Sequence, residues 1–181
     1  MKNKTSLTKD AILKDPYNYT LKEMKDCLGE EMATDFFESL YKNKPKIQNQ
    51  TVKIKEVFNG KDTLKYAFEL SDGYCIETVC IKRKTGITVC VSTMVGCPVG
   101  CIFCASGKNG FIRNLSSSEI VQQIVLLKEK VNRIVFMGMG EPLLNYGEVI
   151  KAIHILRDRN GLNFPTDGIT ISTVGPINQL K

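Results

Sequence analysis

The run Cys97-Pro98-Val99-Gly100-Cys101-Ile102-Phe103-Cys104 carries three thiols at a C-x3-C-x2-C spacing. Thiolates are soft ligands that suit zinc or iron–sulfur clusters. Structural zinc takes four protein ligands from paired knuckles, and the sequence offers no second knuckle. Three thiolates on a cubane would leave one iron open to a ligand from outside the protein. Ordinary buried cysteines are the plain alternative for this residue type. Clustering in a loop shaped by Pro98 and Gly100 argues against it. A second motif, Met137-Gly138-Met139-Gly140-Glu141-Pro142, fails as a dinucleotide fingerprint because Leu143 stands where the third glycine belongs. A carboxylate there would repel phosphate but accept charge-assisted hydrogen bonds from an ammonium group. The glycines would let the backbone approach such a ligand closely. Ser172, at the end of a later strand, could reach the same ligand, although alone it would be an ordinary exposed serine.

These residues need elements to hold them. Residues 1–50 read as a helical accessory segment: Thr20-Leu21-Lys22-Glu23 is a capping-box pattern, and Leu21, Met24, Leu28, Met32, Phe36 and Leu40 make one apolar face. Residues 42–46, with Pro45, should end it. Across residues 51–86 the period becomes two, with turns at Asn59-Gly60 and Asp72-Gly73, which predicts a β-meander. Over residues 87–181 strand and helix alternate. Residues 87–92 read as a strand, Ser116 to Glu119 as a capping box opening a helix with Ile120, Val121, Ile124, Leu127 and Val131 on one face, and residues 134–137 as a buried strand. Val149, Ile150, Ile153 and Leu156 mark a second helix and residues 169–173 a third strand. The fold class expected is therefore α/β: a helical segment and a β-meander, then a partial parallel (β/α) barrel or small open sheet. Ligands of such sheets bind at the carboxyl ends of the strands, where both motifs fall.

Composition excludes several classes. The chain of 181 residues is 43% hydrophobic and 24% charged, which rules out disorder and collagen-like repeats. Lys+Arg 25 against Asp+Glu 19 gives +6, compatible with a polyanionic partner. Seven cysteines, an odd number, behind a charged and polar amino terminus suggest a reducing, cytoplasmic setting and metal or catalytic thiols. His154 is the single histidine. Residues 85–107 contain no charge, yet their glycines, Pro98 and four cysteines do not suit a lipid-facing helix, so no membrane association is expected.

With an aromatic before its last cysteine, the C-x3-C-x2-C segment resembles the signature of the radical S-adenosylmethionine (SAM) superfamily. That resemblance implies a 4Fe-4S cluster whose free iron chelates the amino and carboxylate groups of SAM and whose electron cleaves it to a 5′-deoxyadenosyl radical. The runs Cys90-Val91-Ser92-Thr93-Met94-Val95-Gly96-Cys97, Gly110-Phe111-Ile112-Arg113-Asn114-Leu115, Phe136 to Asn145 and Ser172-Thr173-Val174-Gly175 narrow it. They resemble the RlmN/Cfr family of radical SAM RNA methyltransferases, and Glu141-Pro142 leans toward the RlmN branch. The likeness covers about residues 64–175 and is weak before residue 50. It implies methylation of adenosine C2 in 23S rRNA and tRNA, with an electron donor such as flavodoxin. By position, Cys97, Cys101 and Cys104 would ligate the cluster, and Gly140, Glu141 and Ser172 would bind SAM. Glu77 would be the acid–base carboxylate, expected on an apolar face beside Val79 and Ile81 with a raised affinity for protons. Cys90 would be one of two catalytic cysteines, while Cys27, Cys75 and Cys80 read as packing residues. The other family cysteine, which carries the methyl group, lies beyond the region matched, so the chain resembles roughly the first half of the enzyme. Cluster binding is expected of it, and methyl transfer by it alone is not. Another radical SAM enzyme, or an inactive cluster- or RNA-binding remnant with Lys82-Arg83-Lys84, Lys108 and Arg113 tracking phosphates, are the alternatives.

Overall fold

Thr8 opens the first helix, α1 (Lys9–Lys14), by accepting the Ala11 N–H on its hydroxyl. The computed structural model describes residues 7–42, 50–108 and 110–176. Thr20 and Glu23 form their capping box at the start of α2 (Leu21–Leu28). The expected single apolar face does not continue from there. Gly29, at φ 85°, separates α2 from α3 (Glu30–Tyr41), a conformation glycine adopts without steric cost. The break resets the face, so α3 buries Ala33, Phe37, Leu40 and Tyr41 while Met32 is 54% exposed. Pro45, the expected terminator, lies outside the described residues.

The meander forms as three antiparallel strands, β1 (Val52–Asn59), β2 (Thr63–Leu70) and β3 (Cys75–Arg83). Its first turn is longer than the Asn-Gly signal suggests. Asn59 pairs with Leu64, the Gly60 N–H donates to the Thr63 carbonyl at 2.8 Å, and neither Asn59 nor Gly60 has positive φ. β4 (Gly86–Cys90) is followed by two short strands, β5 (Met94–Gly96) and β6 (Phe111–Asn114), which pair only with each other. Next come α4 (Ser117–Val125), β7 (Val131–Phe136), α5 (Tyr146–Arg157) and β8 (Ile169–Ile171). Val131 thus belongs to a strand and not to the face of α4. β4, β7 and β8 are parallel, and β3 joins them through an antiparallel ladder to β4. The result is one six-stranded sheet, β1-β2-β3-β4-β7-β8, that runs unbroken across residue 86.

One face of the sheet is covered. Leu64, Tyr66, Phe68 and Leu70 of β2, Ile76 and Cys80 of β3 and Ile134 and Phe136 of β7 are buried in a core that α4 and α5 complete. α4 is buried all round, polar residues included, because the amino-terminal helices pack on its outer side. Ser117 and Ser118 there donate their hydroxyls to Asn18 and Asp15, and Lys151 of α5 pairs with Glu23 at 3.0 Å. The other face carries the cross-strand row Phe58–Lys65–Val79–Cys90–Val135–Thr170, none of it fully buried. Parallel sheets ordinarily have both faces covered; here helices cover one. No helix among the described residues is long and apolar enough to cross a membrane.

Candidate functional site

The thiol loop starts and ends at one point. β5 and β6 pair Met94 with Asn114 and Gly96 with Phe111, and the Cys97 N–H donates to the Gly110 carbonyl at 3.0 Å. Gly96 (φ 74°) makes this neck possible, since a Cβ there would lie 1.9 Å from the Gly110 oxygen. This strand pair was not visible in the sequence. It suspends residues 97–108 just beyond the carboxyl end of β4. Cys97, Cys101 and Cys104 are half-buried and unbridged. The loop turns at Gly100 (φ 66°), and the Cys104 N–H returns to the Cys101 carbonyl at 3.0 Å. Backbone N–H groups of Ser106 and Gly107 point at the Cys104 sulfur and hold its thiol below the usual range, which eases its deprotonation. Ile102 and Phe103 between the thiols are 97% and 89% exposed.

Among the described residues no three His, Cys, Asp or Glu side chains converge on a point that could hold a single metal ion. A cubane offers each thiolate a different iron and does not need that convergence. Three soft donors on one loop, one of them eased in its deprotonation, fit such a cluster.

The second motif follows β7 and is laced to the first. The Met139 carbonyl accepts the N–H groups of Thr93 (2.8 Å) and Met94 (3.2 Å), and its sulfur accepts the Gly96 N–H at 3.0 Å. The glycines serve this packing: a Cβ at Gly138 would meet the Val91 carbonyl at 2.6 Å, and one at Gly140 (φ 106°) would meet Thr93 and Met94 at 2.7 Å. The close approach they allow is that of the chain to itself. Glu141 is 3% exposed and its carboxylate accepts the Leu143 N–H (3.0 Å), the Thr173 hydroxyl (2.6 Å) and the Val174 N–H (2.9 Å). It ties the carboxyl end of β7 to that of β8. Ser172 is exposed beside this tie, its N–H directed at the Phe136 carbonyl at 3.4 Å. Gly140, Glu141 and Ser172 therefore do meet at one sheet edge.

Glu77 departs from expectation. β3 buries Ile76, Thr78 and Cys80, so Glu77, Val79 and Ile81 lie on the open face. The Glu77 side chain is 53% exposed and pairs with Lys65 at 2.9 Å; the apolar burial expected around it is absent. Cys90 shares that face one strand over, opposite Val79. Burial pushes its thiol up, with the Met137 N–H acting in the opposite sense. Glu77 also lines a cavity of about 310 Å³ with Cys75, Gly96, Ser106, Ile112 and Met139, between β3 and the thiol loop. Cys75 is exposed, 3.6 Å from the Lys55 Nζ, and is not the packing residue expected; Cys80 is fully buried and Cys27 donates to the Leu7 carbonyl.

Three residues that hold this region together escaped the sequence reading. Gln123 accepts the Ser92 N–H and the Thr78 hydroxyl, both at 2.8 Å, and donates to the Ser92 carbonyl at 2.9 Å. The Ser92 hydroxyl donates to the Glu77 carbonyl (2.7 Å) and accepts the Met139 N–H (3.0 Å). Asn145 donates to the carbonyls of Thr93 and Leu115 at 2.9 and 2.8 Å. Adjacent glutamines inside an apolar helix were the available signal. The basic rim also needs correction. Arg113 is committed to Asp72 (2.6 Å) and Glu119 (2.8 Å), and Lys82-Arg83-Lys84 lie at the opposite end of the sheet from the thiol loop; of the five expected cations Lys108 is the one exposed near it.

Residues 91–180 match the model of the Radical SAM superfamily. A "Probable RNA methyltransferase" of Rhodopseudomonas palustris is 60% identical over 122 residues, 67% of this chain and 34% of that protein. A "Probable dual-specificity RNA methyltransferase RlmN" of Pseudothermotoga lettingae is 49% identical over 133 residues, 71% of this chain and 39% of its own. The crystal structure of a radical SAM methyltransferase from Sphaerobacter thermophilus superposes with a TM-score of 0.80 at 31% identity, covering 87% of this chain and 56% of the other. The chain spans well under half the length of the curated relatives it matches.

Proposed function

This chain belongs to the radical SAM superfamily, and from that premise we propose that it is the cluster- and SAM-binding part of an RlmN-type RNA methyltransferase acting on adenosine C2 in 23S rRNA and tRNA. The observation that carries the reading is the lacing of two motifs at one sheet edge: a loop with three thiols, closed at Gly96 and Gly110, bonded through Met139 to the turn bearing Gly140 and Glu141. Cys97, Cys101 and Cys104 would hold a 4Fe-4S cluster. When bound, that cluster supplies the electron for reductive cleavage of SAM, itself received from a donor such as flavodoxin. Gly140, Glu141 and Ser172 would line the cofactor's side of the edge. Glu141 acts there chiefly by fixing Thr173 and Val174, since its oxygens already accept three hydrogen bonds. Ser172 presents the exposed hydroxyl.

On the open face Glu77 is the group able to take a proton from an RNA base. Lys65 pairs with its carboxylate at 2.9 Å and fixes where the oxygens sit on that face. Cys90 is kept as a thiol by burial, suited to donate a proton or to attack once deprotonated. Anaerobic reconstitution with iron and sulfide should give cluster absorbance and, with dithionite and SAM, release of 5′-deoxyadenosine. Cys101→Ala should abolish both. Cleavage that survives Cys101→Ala, or its absence from the reconstituted parent, would discard the reading.

A further inference from the structure

A phenylalanine 44% exposed on an edge strand contributes little to a core, and Phe58 is one. The Lys65 ammonium lies 4.9 Å from its ring centroid and bridges it to Glu77. The row Phe58–Lys65–Val79–Cys90 runs from this ring across the bare face to a proposed catalytic thiol, a span of about 14 Å at the usual strand spacing. Cations gather around the same end of the sheet. The β1–β2 turn carries Lys61 and the β3–β4 connection carries Lys82, Arg83 and Lys84, the two joined by the Lys82 N–H donating to the Asp62 carbonyl at 2.8 Å. Lys128, Lys130 and Arg133, around the start of β7, extend this rim. All seven are exposed, and none is in an ion pair among the described residues. Asp62, Glu129 and Asp167 oppose them, Glu129 being engaged by the Tyr66 hydroxyl at 2.7 Å.

We infer that this rim and Phe58 form a platform for single-stranded RNA, the cations following phosphates and the ring stacking one base, so that the strand continues over the bare face toward Glu77 and Cys90. The inference rests on the RNA methyltransferase reading and names where its substrate enters. Phosphates answer the excess of positive charge, and a base splayed from the strand answers the flat exposed ring. An acidic protein surface would satisfy the cations and leave the ring without a partner.

The test is fluorescence anisotropy of a labelled, adenine-containing RNA oligonucleotide with the full chain over a range of salt. Phe58→Ala should weaken binding about tenfold without altering the salt slope, and Phe58→Trp should restore it. Replacing Lys82, Arg83 and Lys84 together by Ala should lower the slope of log K against log salt by about 2. Release of 5′-deoxyadenosine should be the same in Phe58→Ala as in the parent. Parent-like RNA binding by Phe58→Ala overturns this inference alone, as does equal competition by polyglutamate. Failure of the parent chain to bind RNA overturns both it and the RNA reading.

Discussion

Two carboxylate oxygens of Glu141 serve three donors in a nearly solvent-free setting. Glutamine has the same shape but one acceptor oxygen, so Glu141→Gln must turn an NH2 toward either Leu143 and Thr173 or Val174. A buried N–H left without an acceptor costs about 1–3 kcal/mol. The substitution should therefore lower the urea midpoint of the cofactor-free chain and speed amide exchange at Val174. Unchanged exchange at Val174 would show that the tie between β7 and β8 does not depend on this residue. The sequence located Glu141 correctly at a strand end, because a Gly-x-Gly-Glu run after an apolar strand is a local signal. It could not say where the carboxylate points, since Thr173 and Val174 arrive from another βα step. Glu77 was misread for a related reason. Both faces of β3 carry apolar residues, and the face that is in fact buried is the one with Ile76, Thr78 and Cys80. Gln123, some 45 positions later, supplies the hydrogen bond that lets Thr78 go inside.

The thiol loop depends on the neck formed by β5 and β6 more than on the loop's own residues. At Gly96 a side chain would collide with the Gly110 carbonyl and also face φ 74°, whereas at Gly100 φ is 66° but nothing lies within 4 Å of an added Cβ. The two glycines thus separate backbone conformation from neck closure. Gly100→Ala should cost about 1 kcal/mol in stability and still allow cluster reconstitution. Gly96→Ala should open the neck and lose the cluster absorbance while the far-ultraviolet circular dichroism of the main sheet persists. Equal cluster yields from both variants would count against the neck as the element that positions the thiols. Strands this short carry no readable period, which is why the sequence gives a bare loop here. The capping boxes of α2 and α4 were legible because each is decided within a few residues. The break at Gly29 was hidden by an apolar stripe that continues in register on both sides of it.

The alternation of elements is written locally, but what joins them is not. Nothing near Ser117 announces Asn18 as its partner, and nothing in the meander announces that β3 will hydrogen-bond to a parallel strand. Both joins place the amino-terminal helices, the meander and the βα steps in one apolar core from Ile12 to Phe164. A core shared in this way should unfold as a unit, and several of its groups give that unit a pH dependence. Cys80 is fully buried and its thiol is pushed up to about 12, chiefly by burial; burial likewise raises the Tyr17 phenol to about 12. Cys90 is shifted in the same direction. In the unfolded chain a thiol releases its proton near pH 8.5 and a phenol near 10. Above those values the unfolded state binds fewer protons than the native state, so stability falls as pH rises, from about 9 up to the folded values. Below pH 8 these groups are protonated in both states and add no slope. Urea midpoints should therefore drop between pH 8 and 10.5. Cys80→Ala should start lower, because it leaves a small cavity, yet lose less over that interval, since one of the displaced protons is gone. Parallel losses in parent and variant would mean that the Cys80 thiol is not what the alkaline limb of stability reports.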